Sequence, residues 1–246
     1  MMQTRGMLIT ATGSRYLEYA RWQVHHLRAI GWDHPIRVMT DVPGAIIPGA
    51  LVDRISPPSG CRGPWWSRGV RVRAYELSPW DLTLCHDADM VPRDIEDVWH
   101  FAQRGEFCVT INKERPRLGD AWFATEHSKS LTLAEAGADS THYSGGCVLF
   151  AKSPRAESIY KAWAAEWDRD PTQDEPALAR ALARLREKPV EIPMTYNWSP
   201  GEHDGIEPVM AAYRRERCIH IWAQKPVILP QVYGALLGVT AERATA

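Results

Sequence analysis

The chain opens with a short apolar run, Met7–Ala11, that stops at Thr12-Gly13-Ser14. β-rich runs of this length, bounded by turn residues, read as strands. Leu17, Ala20, Val24 and Leu27 then recur at helical spacing, which predicts a helix with Ser14 as its N-cap and Gly31 at its end. Ile36–Met39 is a second strand finishing in Thr40-Asp41, so the chain begins as a βαβ unit with a parallel strand pair. Leu51–Ile55 is a third short strand, and Pro57 to Pro64 is a Gly/Pro-rich loop. A helix over Ser67–Leu77 leads through Ser78-Pro79 into the apolar run Leu82-Thr83-Leu84-Cys85, which breaks into His86-Asp87-Ala88-Asp89-Met90. Glu106–Ile111 reads as a strand, Asn112 to Ser140 as the least regular stretch, and His142–Lys152 as a strand containing Gly145-Gly146. Pro154 starts a helix with Ile159, Trp163 and Trp167 on one side, and a second helix from Asp174 carries Ala177, Leu178, Ala181, Leu182 and Leu185 on one face. Cys218–Trp222 is a last short strand. The pattern is that of an α/β fold, with no repeat and no linker to divide it, so residues 1–246 are expected to form one domain.

The Asp87-Ala88-Asp89 triplet stands where a buried strand leaves its sheet, and open α/β sheets bind ligands at the carboxyl ends of their strands. Two carboxylates spaced by one small residue repel each other unless a cation lies between them. Oxygen ligands favour Mg²⁺ or Mn²⁺ over zinc, and such ions commonly hold a diphosphate. By itself the triplet also fits a solvated turn, and an aspartate-based phosphohydrolase places Asp-x-Asp after a strand as well. Those enzymes follow it with a small pair such as Gly-Thr, whereas Met90-Val91-Pro92 follows here.

Composition narrows the picture further. With 246 residues and a formal charge of −1, the chain can bury a large core and has no global basic field for nucleic acid or anionic membrane. The basic segments Arg68–Arg73 and Arg214–Arg217 leave a local nucleic-acid contact as a minority alternative. The five cysteines (61, 85, 108, 147 and 218) show no metal-ligand spacing and read as reduced thiols. No signal peptide precedes the first strand and no apolar run approaches membrane-spanning length, so a cytoplasmic protein without a membrane segment is expected. Most of the 11 tryptophans belong in a core, while Trp65-Trp66, in a loop, fit either a ligand platform or a loop anchor.

The run from Arg71-Val72-Arg73 through Ser78-Pro79 and Asp87-Ala88-Asp89 to Asp94-Ile95-Glu96-Asp97-Val98-Trp99 resembles the DxD region of GT-A glycosyltransferases, especially the family-8 type and its relatives. Further segments resemble the family in its order. Ala11-Thr12-Gly13-Ser14-Arg15-Tyr16 follows the first strand, where these enzymes place their nucleotide pocket. Tyr143-Ser144-Gly145-Gly146 resembles the family's Asn-Ser-Gly strand beside the donor sugar, with Tyr143 in place of the asparagine. Thr172-Gln173-Asp174-Glu175 resembles its acidic cluster at sugar and acceptor, although a helix N-terminus also favours carboxylates as simple caps. Ile219-His220-Ile221-Trp222-Ala223-Gln224-Lys225-Pro226 resembles its C-terminal His–Lys segment, one residue short and lacking the glycine.

The resemblance implies a GT-A domain, a mixed and largely parallel sheet flanked by helices. Asp87, Asp89 and His220 would be ligands of Mn²⁺ or Mg²⁺. Ala11, Thr12, Gly13, Tyr16, Arg71, Arg73, Asp87, Ala88, Ser144, Gly145, Gly146 and Lys225 would line the donor site. Asp174 and Glu175 would be the catalytic pair, orienting the sugar or accepting a proton. The implied activity is transfer of a hexose from a nucleoside-diphosphate sugar, UDP by preference, with retention of configuration. The acceptor is open among a glycan, a small molecule, a protein and, as the minority reading, nucleic acid. A non-catalytic nucleotide-sugar-binding protein on the same fold is the remaining alternative.

Overall fold

The opening βαβ unit forms as β1 (Arg5–Thr10), α1 (Gly13–Ala29) and β2 (Ile36–Thr40), with the two strands parallel. The computed structural model describes residues 3–57, 66–200, 205–221 and 228–238. β3 (Leu51–Arg54) pairs parallel with β2 on its outer side, and α2 (Trp66–Arg71) and α3 (Ala74–Leu77) lead into β4 (Leu82–Asp87). β4 returns to the other side of β1, again parallel. There follow β5 (Met90–Pro92), β6 (Phe107–Ile111), α4 (Glu126–Ala136), β7 (Tyr143–Ala151), α5 (Pro154–Arg169), α6 (Asp174–Leu185), β8 (Val190–Ile192), α7 (Ile206–Tyr213), β9 (Cys218–His220) and α8 (Ile228–Leu237). The main sheet runs β3-β2-β1-β4-β7-β6-β8, with β7 antiparallel to both its neighbours and β8 parallel to β6; β5 and β9 form a separate two-stranded ladder. This is the expected mixed, largely parallel sheet flanked by helices.

Strand residues alternate between two cores, which is why the strands are apolar throughout. Met7, Ile9, Leu84, Cys147 and Leu149 face one core with Leu17, Ala20, Val24 and Leu27 of α1. Leu8, Cys85, Val148 and Phe150 face the other with Ile159, Trp163 and Trp167 of α5 and Ala177, Leu178, Ala181 and Leu182 of α6. Among the described residues no helix is long and apolar enough to cross a membrane.

Three expectations are corrected. Ser14 is not the N-cap of α1: Thr12 is, without a side-chain cap, and the Gly13 amide donates instead to Asp41 Oδ1 at 2.6 Å, so the acidic cap arrives from the end of β2. The helix expected over Ser67–Leu77 is broken at Val72-Arg73, between α2 and α3, just after Gly69 and Val70 of α2, which with Val72 lower helix propensity. The stretch from Asn112 to Ser140 contains α4, N-capped by Thr125, whose Oγ1 accepts from the Ser128 amide at 3.0 Å. Its buried face carries Ser128 and Thr132 instead of an apolar stripe, so hydrophobic periodicity does not reveal it.

That polar face has a partner. Arg180 of α6 is fully buried; its Nη1 donates to Thr132 Oγ1 at 2.7 Å and its Nε to Glu166 Oε2 at 3.1 Å, tying α4, α5 and α6 together. Removing one partner of a buried pair strands the other, so Arg180→Met is expected to lower stability by about 3 kcal/mol. Urea unfolding measures this, and a loss under about 1 kcal/mol, the size of an exposed pair, would contradict it.

Candidate active site

The order of the sheet reverses at β1, with β2 on one side and β4 on the other, so a crevice opens beyond their carboxyl ends. Thr10, the last residue of β1, lies opposite Asp87, the last of β4. From the α1 side, the buried Gln23 holds the following turn: its Nε2 donates to the carbonyls of Asp87 at 3.2 Å and Met90 at 3.0 Å. The same amide faces His86 Nδ1 at 3.2 Å; burial lowers the His86 pKa to about 3, so the ring stays neutral.

His220 reaches this turn through the short ladder, in which β5 and β9 run antiparallel with Met90 opposite His220. The Ile221 amide also donates to the Asp89 carbonyl at 3.0 Å. The donor atoms of Asp87, Asp89 and His220 lie within 4.8 Å of one another. His220 Nε2 is 3.2 Å from Asp89 Oδ1 and 3.6 Å from Asp87 Oδ2. Its other nitrogen, Nδ1, is 2.9 Å from Asn197 Oδ1, and Asn197 Nδ2 in turn donates to Thr110 Oγ1 at 2.9 Å. With Nδ1 engaged by the amide oxygen, the ring is turned so that Nε2 faces the carboxylates, as an orienting partner does for a metal-binding histidine. Two carboxylates and one oriented imidazole fit a divalent cation of the Mn²⁺ or Mg²⁺ kind.

Arg71 is the next shell of charge. Its guanidinium pairs with Asp87 and, at 2.5 Å, with Asp174 Oδ2 at the start of α6; Arg68 Nε stands 3.6 Å from the same carboxylate. The Asp174 side chain is 3% exposed, and α6 is preceded by Gln173 as N-cap, so this carboxylate is spent on arginine. β7 passes beside the group. A Cβ on Gly145 would strike Asp174 and come within 3.0 Å of Arg71 Nη1. One on Gly146 would meet His220 Cε1 at 2.9 Å and Asp87 Oδ2 at 3.1 Å. The two glycines are therefore a cradle for the charged side chains. Gly146→Ala is expected to weaken Mn²⁺ binding at least about tenfold by moving His220, as losses of orienting contacts do. Titration of Mn²⁺ by electron paramagnetic resonance measures it, and unchanged affinity would contradict the geometry.

The remaining expected residues divide. Ala11, Thr12 and Gly13 adjoin the end of β1, and Ala88 is buried in the Asp-x-Asp turn. Tyr16 stands near the carboxylates: burial, and then the charge of Asp89, push its phenol up to about 12, so it stays protonated. Ser144 is buried in β7 opposite Thr110, its Oγ 3.4 Å from the Gly146 amide. Glu175 reaches across to β7, accepting from the Gly145 amide at 3.2 Å and facing His142 Nε2 at 3.0 Å. Arg73 is not brought in. The break after α2 turns it to Asp168 at 2.6 Å and to the Gly69 carbonyl at 2.8 Å. Lys225, Cys61 and Trp65 lie outside the described residues, and Trp66, expected in a loop, is the first residue of α2 and is half-buried against the α5–α6 core. The segment Arg68–Arg73 does not form an open stripe, since Arg68, Arg71 and Arg73 face carboxylates; in the second segment Arg217 pairs with Asp94 and Asp97, and Arg214 and Arg215 are exposed. Gln23, Asn197 and His142 escaped the sequence reading, because no spacing rule links them to the residues they hold.

No protein-family model matches the sequence, and no curated protein does so. Solved structures do match. A galactosyltransferase, LgtC, in complex with donor and acceptor sugar analogues superposes with a TM-score of 0.60 at 15% identity, over 96% of this chain and 98% of that one. An active-site mutant of LgtC gives the same TM-score of 0.60 and 15% identity over 98% and 100% of the two chains. WbbM, a bifunctional glycosyltransferase, matches with a TM-score of 0.62 at 10% identity, over 95% of this chain and 50% of WbbM. The fold is that of a GT-A glycosyltransferase. In GT-A terms, the crevice beyond β1 and β4 with its Asp-x-Asp turn is where the expected donor residues gather, and Arg73 alone among those described stands apart.

Proposed function

We propose that the chain is, over residues 1–246, a single-domain glycosyltransferase that moves a hexose from a nucleoside-diphosphate sugar, preferably UDP-hexose, to an acceptor with retention of configuration. The observation that carries this reading is the cluster of Asp87, Asp89 and His220 at the carboxyl end of the sheet, with the histidine oriented by Asn197. A divalent ion held by these three would offset the negative charge that builds on the departing diphosphate, an effect worth several kcal/mol. Arg71, already ion-paired to Asp87, is the next positive charge on the same side. Tyr16, in neutral form, offers a face and a hydroxyl to the base, with Ala11, Thr12, Gly13 and Ala88 as the floor of that pocket. Gly145 and Gly146 make room for the charged side chains beside β7, where Ser144, Asp174 and Glu175 offer hydrogen-bond partners to the sugar's hydroxyls. LgtC and WbbM share the fold, which favours a transferase over a phosphohydrolase. Cys85, Cys108, Cys147 and Cys218 are free and buried, which fits a reducing, cytoplasmic setting. The internal pairing of Arg68–Arg73 turns the choice of acceptor away from nucleic acid and towards a glycan, a small molecule or a protein.

The test is UDP release from UDP-glucose, UDP-galactose and their N-acetylhexosamine counterparts, with Mn²⁺ and with a chelator. One donor is expected to yield slow, metal-dependent UDP release by hydrolysis even without acceptor. Binding of a donor with no release under any condition would establish the non-catalytic alternative.

A further inference from the structure

His142 lies one residue before β7 and is 4% exposed, yet both its ring nitrogens face acceptors. Nδ1 is 2.8 Å from the Arg115 carbonyl oxygen and Nε2 is 3.0 Å from Glu175 Oε2. A carbonyl and a carboxylate only accept, so a ring that satisfies both carries two protons and a positive charge. Glu175 is equally committed: its other oxygen accepts from the Gly145 amide at 3.2 Å. The carboxylate is thereby anchored to the residue whose missing side chain makes room for Asp174 and Arg71.

We propose that His142 is a positioning residue, which keeps Glu175 ionised and aimed along β7 so that it serves as a fixed anion towards the sugar's developing positive charge and not as a proton acceptor. This rests on the transferase reading above. Burial opposes both charged forms and is outweighed by the hydrogen bond and attraction between the two partners. The outcome holds Glu175 down to about 2 and raises His142 above its ordinary 6.5. A carboxylate with so low a pKa is a weak base near neutrality. The other charges facing the pair include Arg115, from the segment after β6, which opposes the imidazolium, and Arg68 and Arg71 of α2, which favour the carboxylate. The signs fix a pH window. The Glu175 contribution to stability is full above its ordinary 4.5 and is lost as pH falls through about 2. The His142 contribution is full below 6.5 and is lost as pH rises through the raised folded value. Between 4.5 and 6.5 the pair is complete.

His142→Gln keeps a donor towards Glu175 and removes the charge; His142→Phe removes both. With UDP release from UDP-glucose and UDP-galactose as the readout, His142→Gln is expected to lower kcat at least about tenfold. The donor KM should stay near wild type, and the acid limb of the pH profile should move up towards 4.5, the ordinary glutamate value. The alkaline fall of the wild type, where His142 loses its proton, should be absent. His142→Phe should be slower still, so that the glutamine gives partial rescue. Wild-type kcat and pH profile in His142→Gln would overturn the proposal. Nitrogen-15 NMR of the wild-type imidazole needs no variant to fold: both ring nitrogens should be protonated at pH 6, inside that window. A neutral His142 in an enzyme that turns over its donor would overturn the role alone. Wild-type protein that turns over no UDP-hexose would overturn the transferase reading beneath it.

Discussion

Asp89→Asn is expected to reduce metal-dependent UDP binding to background and to lower sugar transfer at least ~10²-fold, the scale of losing one preorganised electrostatic partner. Asp89 is buried, its Oδ1 is 3.2 Å from His220 Nε2, and its carbonyl is pinned by Ile221, so the change alters charge without freeing the backbone. A neutral amide there removes one of two anions and places a donor where a cation needs an acceptor. In metal-free protein the same change relieves repulsion between Asp87 and Asp89, so the melting temperature should hold or rise. Calorimetry of UDP binding with Mn²⁺, beside thermal unfolding in chelator, separates the two effects. Wild-type metal dependence in Asp89→Asn would remove Asp89 from the metal site.

Asp174→Asn should lower kcat by at least ~10²-fold while UDP affinity survives, because the base and diphosphate are held elsewhere. Simple capping predicts the opposite, namely near-normal turnover and a stability cost of about 1 kcal/mol or less. The geometry argues against capping: the carboxylate is 2.5 Å from Arg71 and 3.6 Å from Arg68, and helix α6 takes Gln173 as its N-cap. Removing its charge takes a fixed acceptor from the sugar's side of the site, while Arg71 keeps its pair with Asp87. Breaking a buried ion pair also costs more than losing a cap. Steady-state kinetics with melting temperatures of the purified variant decides between the two readings.

The reach and the limits of the sequence follow one physical line. Strand β4 was legible because an apolar run ended sharply in charge, and the end of a strand is where a sheet exposes ligands. The Gly145-Gly146 pair was legible as close approach, since glycine inside a strand has few other uses. What it makes room for, His220 on one side and Asp174 on the other, appears only once the chain is folded. His220 itself was placed by resemblance, and the β5–β9 ladder supplies the reason it stands beside Asp89. Arg71 and Arg73 looked equivalent as neighbouring cations on one predicted helix. A break in that helix, over residues of low helix propensity, sends one to Asp87 and the other to Asp168. Helix α4 was hidden because its buried face is built of hydroxyls that meet Arg180. Gln23, Asn197 and His142 act by holding other groups in place, and neither periodicity nor local spacing encodes such contacts.

In the proposed site Asp87, Asp89 and His220 together hold a divalent ion for a nucleoside diphosphate. Isothermal titration of UDP into the wild-type protein, once in Mn²⁺ and once in chelator, tests it most directly. UDP binding seen in Mn²⁺ should disappear in chelator, and His220→Ala should weaken it in Mn²⁺ while keeping the fold. Equal UDP affinity with and without the metal would contradict it.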